Sequence, residues 1–198
     1  MNKKFSQNDE EAFILDYFSD KPTGRFMDIG AFDVYQFSNV RALYEKGWGG
    51  ILVEPAPKQF NSIYEHYKDD PKITTLNMAI GTSYEEIDFY VSEDAVSTSD
   101  VAHMTKWANA GVSFEKIRVP QVNVVDFMKE HCIGIDFLSI DTEATNMAIF
   151  RAIPDFVFEQ IKMFCIEHDG LSDEVEDRTR DFGFYPLYFN GENILLAK

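Results

Sequence analysis

The chain has 198 residues, a length suited to one domain with a substantial buried core. Its 18 Lys and Arg stand against 34 Asp and Glu, a formal charge of −16 with no basic cluster. That argues against a nucleic-acid partner, whose affinity comes from cations that displace phosphate counterions.

With 18 Phe and 9 Tyr, the composition is that of a packed globule rather than a disordered chain. Residues 7–11 are polar where a signal peptide needs an apolar run, and no stretch approaches the ~18 apolar residues of a membrane span. The expectation is a cytoplasmic protein whose two cysteines, Cys132 and Cys165, lie reduced and buried. Neither has zinc-ligand spacing.

In chain order, Asn8 or Asp9 caps a helix carrying Ala12, Phe13, Leu15 and Phe18. Residues 24–30 form a short buried strand ending in Asp28 and Gly30. Ser38 caps a helix with Val40, Leu43 and Tyr44, stopped by Gly47. A second strand, 50–54, ends at Glu54 before Pro55, and 57–67 shows helical spacing at Phe60, Ile63, Tyr64 and Tyr67. Residues 73–80 read as one strand and 87–91 as another. Residues 92–118 lose periodicity and read as an irregular insertion or lid. Asn123 caps a helix with Val124, Val125, Phe127 and Met128; 135–141 is a strand, 145–153 a helix stopped by Pro154, 161–167 a strand and 173–182 a polar helix. Two last strands, 184–189 and 193–197, flank Asn190-Gly191, a hairpin signal. Alternating strands and helices predict a mostly parallel sheet between helical layers, finished by an antiparallel hairpin, in a single domain over 1–198.

Ligands of such sheets sit beyond the carboxyl ends of the strands, where strand order reverses. Those ends carry Asp28 to Asp33, Glu54, Asn77 to Ala79, Asp141 to Glu143, and Glu167 to Asp169. A carboxylate after the first strand suits a cationic amino-acid moiety and is a poor neighbour for a pyrophosphate. Gly30 lets backbone approach a ligand closely. Glu54, 24 residues after Gly30, lies near the offset of an acid that binds ribose hydroxyls. Either feature alone is usually just a turn or a solvated strand end. Together, without a Gly-x-Gly-x-x-Gly run, they favour a cofactor site.

The segments Phe26-Met-Asp-Ile-Gly-Ala-Phe-Asp33, Ser38-Asn39, Leu43-Tyr-Glu-Lys-Gly-Trp48 and Gly50-Ile-Leu-Val-Glu-Pro55 resemble the FkbM family of methyltransferases. So do Asn77-Met-Ala-Ile-Gly81, Asp136-Phe-Leu-Ser-Ile-Asp-Thr-Glu143 and Asn193-Ile-Leu-Leu196, in the same order. The resemblance implies a class I methyltransferase fold, a Rossmann-like three-layer sandwich on a mostly parallel seven-stranded sheet. It also implies S-adenosylmethionine as cofactor, and methylation of a hydroxyl on a small molecule or saccharide. Asp28, Gly30 and Ala31 would then lie near the methionine part, Glu54 on the ribose and Asn77, Met78 and Ala79 beside the adenine. Asp33, Ser38, Asn39 and Pro55 join the cofactor-binding set, and Asp141 and Glu143 come near the reacting methyl. The chain departs from the family at Val34 and Ala144, where glycine is usual.

A hydroxyl acceptor needs a base within hydrogen-bond reach. His168, just past a strand end, is the first candidate, with Glu143 and Asp141 as alternatives; the competing reading of His168 is a residue bonded to neighbouring backbone. His103 reaches the site only if 92–118 is a lid. The acids beside His168 come from two strand ends without local ligand spacing, so no metal is indicated. Phe89, Tyr90, Trp107 and Phe114 stack on an acceptor or simply pack. Two competing functions remain: a protein that binds S-adenosylmethionine without catalysis, motivated by Val34 and Ala144, and a dinucleotide or nucleotide-sugar enzyme, disfavoured by Asp28.

Overall fold

A computed structural model describes residues 4–198. Helix α1 (Glu10–Tyr17) precedes strand β1 (Arg25–Ile29), followed by α2 (Arg41–Glu45), β2 (Gly49–Val53), α3 (Pro57–Tyr67) and β3 (Ile73–Leu76). Then come β4 (Ala79–Gly81), β5 (Glu85–Val91), α4 (Val101–Asn109), β6 (Glu115–Asn123) and α5 (Val124–His131). The chain continues through β7 (Phe137–Ile140), α6 (Asn146–Ala152), α7 (Asp155–Gln160), β8 (Met163–Glu167), α8 (Ser172–Arg180), β9 (Tyr185–Phe189) and β10 (Asn193–Ala197).

The main sheet has the order β3-β2-β1-β7-β8-β10-β9. The first five strands are parallel; β10 runs antiparallel to β8, and β9 antiparallel to β10. Side chains alternate across it with the two-residue period of a strand. Met27, Ile29, Ile51, Val53, Leu138, Ile140, Phe164 and Ile166 join Phe127, Phe150, Phe158 and Val175 in one core, on the side of α5 to α8. Phe26, Leu52, Phe137, Cys165 and Leu195 join Ile14, Leu43, Ile63 and Tyr67 in the other, on the side of α1 to α3. This is the three-layer class I sandwich with its antiparallel finish.

A second sheet of order β4-β6-β5 stands beside it. It corrects two expectations. The strand expected over 73–80 breaks at Asn77, whose Nδ2 donates to the Glu54 and Pro55 carbonyls at 2.9 and 3.1 Å. The chain then leaves the main sheet, and β4 pairs with β6. The segment 92–118 is not irregular throughout, because it holds α4 and the first residues of β6.

Caps follow the side chains. Asn123 Oδ1 accepts from the Val125 amide at 2.9 Å, and Ser38 Oγ from the Arg41 amide at 3.1 Å. Asp9 sits at the start of α1 without a side-chain cap bond; the carboxylates of Glu10 and Glu11 instead accept from the amides of Asn8, Phe5 and Ser6.

Candidate functional site

The strand order reverses between β1 and β7, and there a cavity of about 680 Å³ opens at the carboxyl ends. Its floor is the contact of Gly30 with Asp141. Gly30 has φ +91°, and a Cβ on it would stand 1.7 Å from the Asp141 carbonyl oxygen. The glycine is therefore required by the neighbouring strand end, where the sequence suggested approach to a ligand.

Asp28 points away from the cavity. Its position along β1 matches Phe26, so its carboxyl enters the layer of α1 to α3, where it is buried and bonded to Ser139. Burial raises it to about 7, against the Ser139 bond and with the help of Glu54. Asn39 Nδ2 reaches the same Ser139 Oγ at 3.4 Å. Ala31, Asp33, Ser38, Asn39 and Asn77 likewise do not line the cavity. Asp33 Oδ1 holds the Tyr35 and Gln36 amides at 2.8 Å each, a turn that shapes the chain after β1.

Glu54 does line it. Its two oxygens accept from the Phe32 amide at 2.9 Å and the Ala56 amide at 2.7 Å, which fix the carboxyl while burial pushes it up to about 7. Pro55, Met78, Ala79, Ile80 and Phe89 form an apolar wall beside it.

The opposite wall is acidic. Asp141, Glu143, Glu167 and Glu192 come from the ends of β7 and β8 and the turn before β10. Burial, then mutual repulsion, raises Asp141 to about 7, Glu167 to about 8 and Glu143 to about 9. Asp141 hydrogen-bonds Glu167, yet its Oδ1 is buried without a partner. Asn146, which the sequence offered only as part of a helix, is fully buried. Its Oδ1 accepts from the Thr142 amide and its Nδ2 donates to Glu167 Oε2, both at 2.6 Å.

Above this wall lies α4, capped by Asp100, which accepts from the His103 amide at 2.7 Å. It presents His103, Lys106 and Trp107 to the cavity. His103 Nε2 lies 3.0 Å from Glu143 Oε2, off the line of a good hydrogen bond. Burial and then Lys106 hold the imidazole below its ordinary range. The segment is tied down by Thr98, fully buried, whose hydroxyl donates to the Glu143 carbonyl at 2.6 Å. Glu143 and Ala144 both have left-handed backbone, φ 52° and 74°. Ala144 thus adopts the conformation a glycine would favour. Val34 is not among the left-handed residues and packs in the core with Leu43 and Ile63.

His168 is placed otherwise than the base role requires. Its ring is buried, stacks on Phe189 with centroids 5.1 Å apart, and does not line the cavity. Nδ1 accepts from the Gly170 amide at 3.0 Å, and Nε2 faces the Asn190 carbonyl at 3.2 Å. A neutral ring protonated at Nε2 satisfies both, which is the backbone-bonded alternative. Among the described residues no group of three or more His, Cys, Asp or Glu is arranged to hold a metal ion.

The sequence profile of the Methyltransferase FkbM domain matches residues 28–191. No curated protein matches the chain. Among solved structures, methyltransferase FkbM from Methylobacillus flagellatus KT superimposes with a TM-score of 0.56 at 10% identity, over 89% of this chain and 44% of that one. The chain thus spans less than half the length of that relative. The METTL16 MTase domain superimposes with a TM-score of 0.52 at 14% identity, over 94% of this chain and 64% of that one. At such identities the likeness shows the fold alone. The profile match covers most of the chain, and an acid-walled cavity at the switch point suits a cationic cofactor: the chain belongs to the FkbM methyltransferase family, whose cofactor is S-adenosylmethionine.

Proposed function

We propose that the protein transfers a methyl group to a hydroxyl oxygen of a small molecule or saccharide, within one domain in which 92–118 acts as a lid. The observation that carries this reading is His103 Nε2 held 3.0 Å from Glu143 Oε2 inside an acid-walled cavity at the switch point. The donor set fits the cofactor. Glu54 would hold its ribose, the wall of Met78, Ala79 and Ile80 its adenine, and Asp141, with its unpartnered Oδ1, its ammonium.

Bound there, S-adenosylmethionine supplies a methyl carbon already activated by its sulfonium. The protein's task is alignment and proton removal. His103 Nε2, facing the cavity, would take the proton of the acceptor hydroxyl. Burial and then Lys106 disfavour the charged form of the ring in the free protein. Glu143 Oε2 faces Nε2 at 3.0 Å and would position the ring for the transfer. Ala144 keeps the left-handed turn a glycine would give, so it supplies no reason to prefer binding without catalysis. The overall charge of −16 and the acidic cavity wall favour a small acceptor over a polyanion.

Calorimetric titration with S-adenosylmethionine and S-adenosylhomocysteine, beside Glu54→Gln, tests the cofactor site. Micromolar binding weakened at least tenfold in Glu54→Gln is expected; folded protein without binding refutes the reading. A hydroxyl-acceptor screen with His103→Gln then tests the base. A variant whose kcat equals that of wild type at all pH values removes His103 from that role.

A further inference from the structure

We propose, resting on the methyltransferase reading, that the corner of the cavity between β7, β8 and β10 is a subsite for an ammonium group, so that the methyl acceptor is an amine-bearing alcohol or sugar. Four observations carry this.

Asn193 is 4% exposed and lines the cavity. Its Nδ2 donates to Glu10 Oε1 at 3.1 Å, which orients the amide, and its Oδ1 has no partner. A buried acceptor without a donor is unfavourable, so a ligand N–H there recovers a real deficit. Second, Asn193 stands opposite Glu167 in the β8–β10 register, so the two side chains leave the same face of the sheet, and both line the cavity. Asn146 Nδ2 fixes Glu167 at 2.6 Å.

Third, the corner offers acceptors almost exclusively. Among the described residues Lys106 and His103 are the basic side chains lining the cavity, and both come from α4 above; the floor and side of the corner are Glu167, Glu192 and Asn193. Carboxylates crowded in this way repel one another, and an ammonium among them removes that repulsion.

Fourth, the corner lies outside the part of the edge assigned to the cofactor. Glu54 ends β2 and Asp141 follows β7, two strands away; Glu167 is one strand further and Asn193 one further still. The strands there are ~4.8 Å apart, so the corner adjoins the cofactor's part of the edge and extends away from it. An acceptor anchored there has its hydroxyl between the anchor and the His103–Glu143 pair.

The test uses the whole protein saturated with S-adenosylhomocysteine, titrated calorimetrically near neutral pH with two matched pairs. These are glucosamine against N-acetylglucosamine, and ethanolamine against N-acetylethanolamine. At least one amine is expected to bind tenfold or more tightly than its acetylated partner, and Glu167→Gln to remove most of that difference. Amines that bind no better than their partners, or do not bind while S-adenosylhomocysteine does, overturn the subsite alone. Absence of S-adenosylhomocysteine binding overturns the methyltransferase reading and the subsite with it. The comparison within wild-type protein stands even where Glu167→Gln fails to fold.

Discussion

Replacing Ala144 with glycine is expected to stabilise the protein, although the same change almost anywhere in a helix does the opposite. Ala144 is exposed and has φ 74°, so the substitution removes no packing and relieves a left-handed backbone. That conformation costs a residue with a Cβ about 1–2 kcal/mol. Glycine returns about 0.4–1 kcal/mol through its greater freedom in the unfolded chain. The net gain is about 0.5–1 kcal/mol. Ala148, exposed in the middle of α6, supplies the control, since Ala148→Gly loses about 0.5–1 kcal/mol. Urea unfolding of both variants against wild type, with equal m-values, reads the difference, about 1–2 kcal/mol between variants four residues apart. In thermal unfolding each kcal/mol is about 2–4 °C for a chain of this size. If Ala144→Gly loses as much as Ala148→Gly, the turn carries no strain, and the account given for the departure from glycine fails.

The opposite change at Gly30 is expected to be severe. Gly30→Ala sets a Cβ 1.7 Å from the Asp141 carbonyl at φ +91°, and a loss above about 4 kcal/mol, or no folded protein, should appear in the same unfolding assay. Asp28 and Glu54, raised to about 7 from 3.8 and 4.5, hold protons when folded that the unfolded chain has released. Stability should thus be greatest on the acid side and fall by up to about 1.4 kcal/mol per pH unit for each group between roughly pH 4.5 and 7. Urea midpoints from pH 5 to 8 should decline, and less so in Asp28→Asn; a midpoint that rises with pH contradicts the buried placement. His168→Ala is expected to lower stability by about 2–3 kcal/mol, since it leaves two backbone groups unpaired, while cofactor affinity measured by calorimetry changes less than threefold. Finally, the ratio of S-adenosylmethionine to S-adenosylhomocysteine affinity should grow between pH 6 and 9, as Asp141, Glu167 and Glu143 ionise and attract the sulfonium. A flat ratio would show that these acids do not face it.

The strands of the main sheet were legible because burial on both faces leaves short apolar runs such as Phe137–Ile140 and Met163–Glu167. The final hairpin was legible from Asn190-Gly191. What escaped carried weak signals. Helix α4 has no fully buried residue, and its short apolar set, Val101, Met104 and Ala108, follows a run of Ser, Thr and Asp. Strand β6 contains Pro120, which argues against a strand interior. It is tolerated because the ladder with β4 covers Gln121 to Asn123 only, so at Pro120 the strand has β5 alone as neighbour. Pro154 marks the stop of one helix in the sequence, yet it is also the residue directly before α7, which the sequence does not announce. For the site, the strand ends were readable but the direction of each side chain was not. Asp28 lies one residue before Ile29 and so enters the opposite core, and His168 is covered by Phe189 of the hairpin, 21 residues later in sequence.

The crowding of acids at this edge follows from what the fold places there. The parallel strands bring their carboxyl ends to one side, and the reversal between β1 and β7 opens the cavity among them. Burying several carboxyls together is unfavourable, and the protein answers by holding protons on Asp141, Glu167 and Glu143. A cationic ligand does the same work better, because it neutralises the group without protonating it. Methyl transfer then turns the sulfonium into a neutral thioether, so the interaction that favours binding of the reactant weakens in the product. On the proposed placement, acids that cost the free protein stability would therefore discriminate between cofactor and spent cofactor. An ordinary solvated cluster would be screened too strongly to do so.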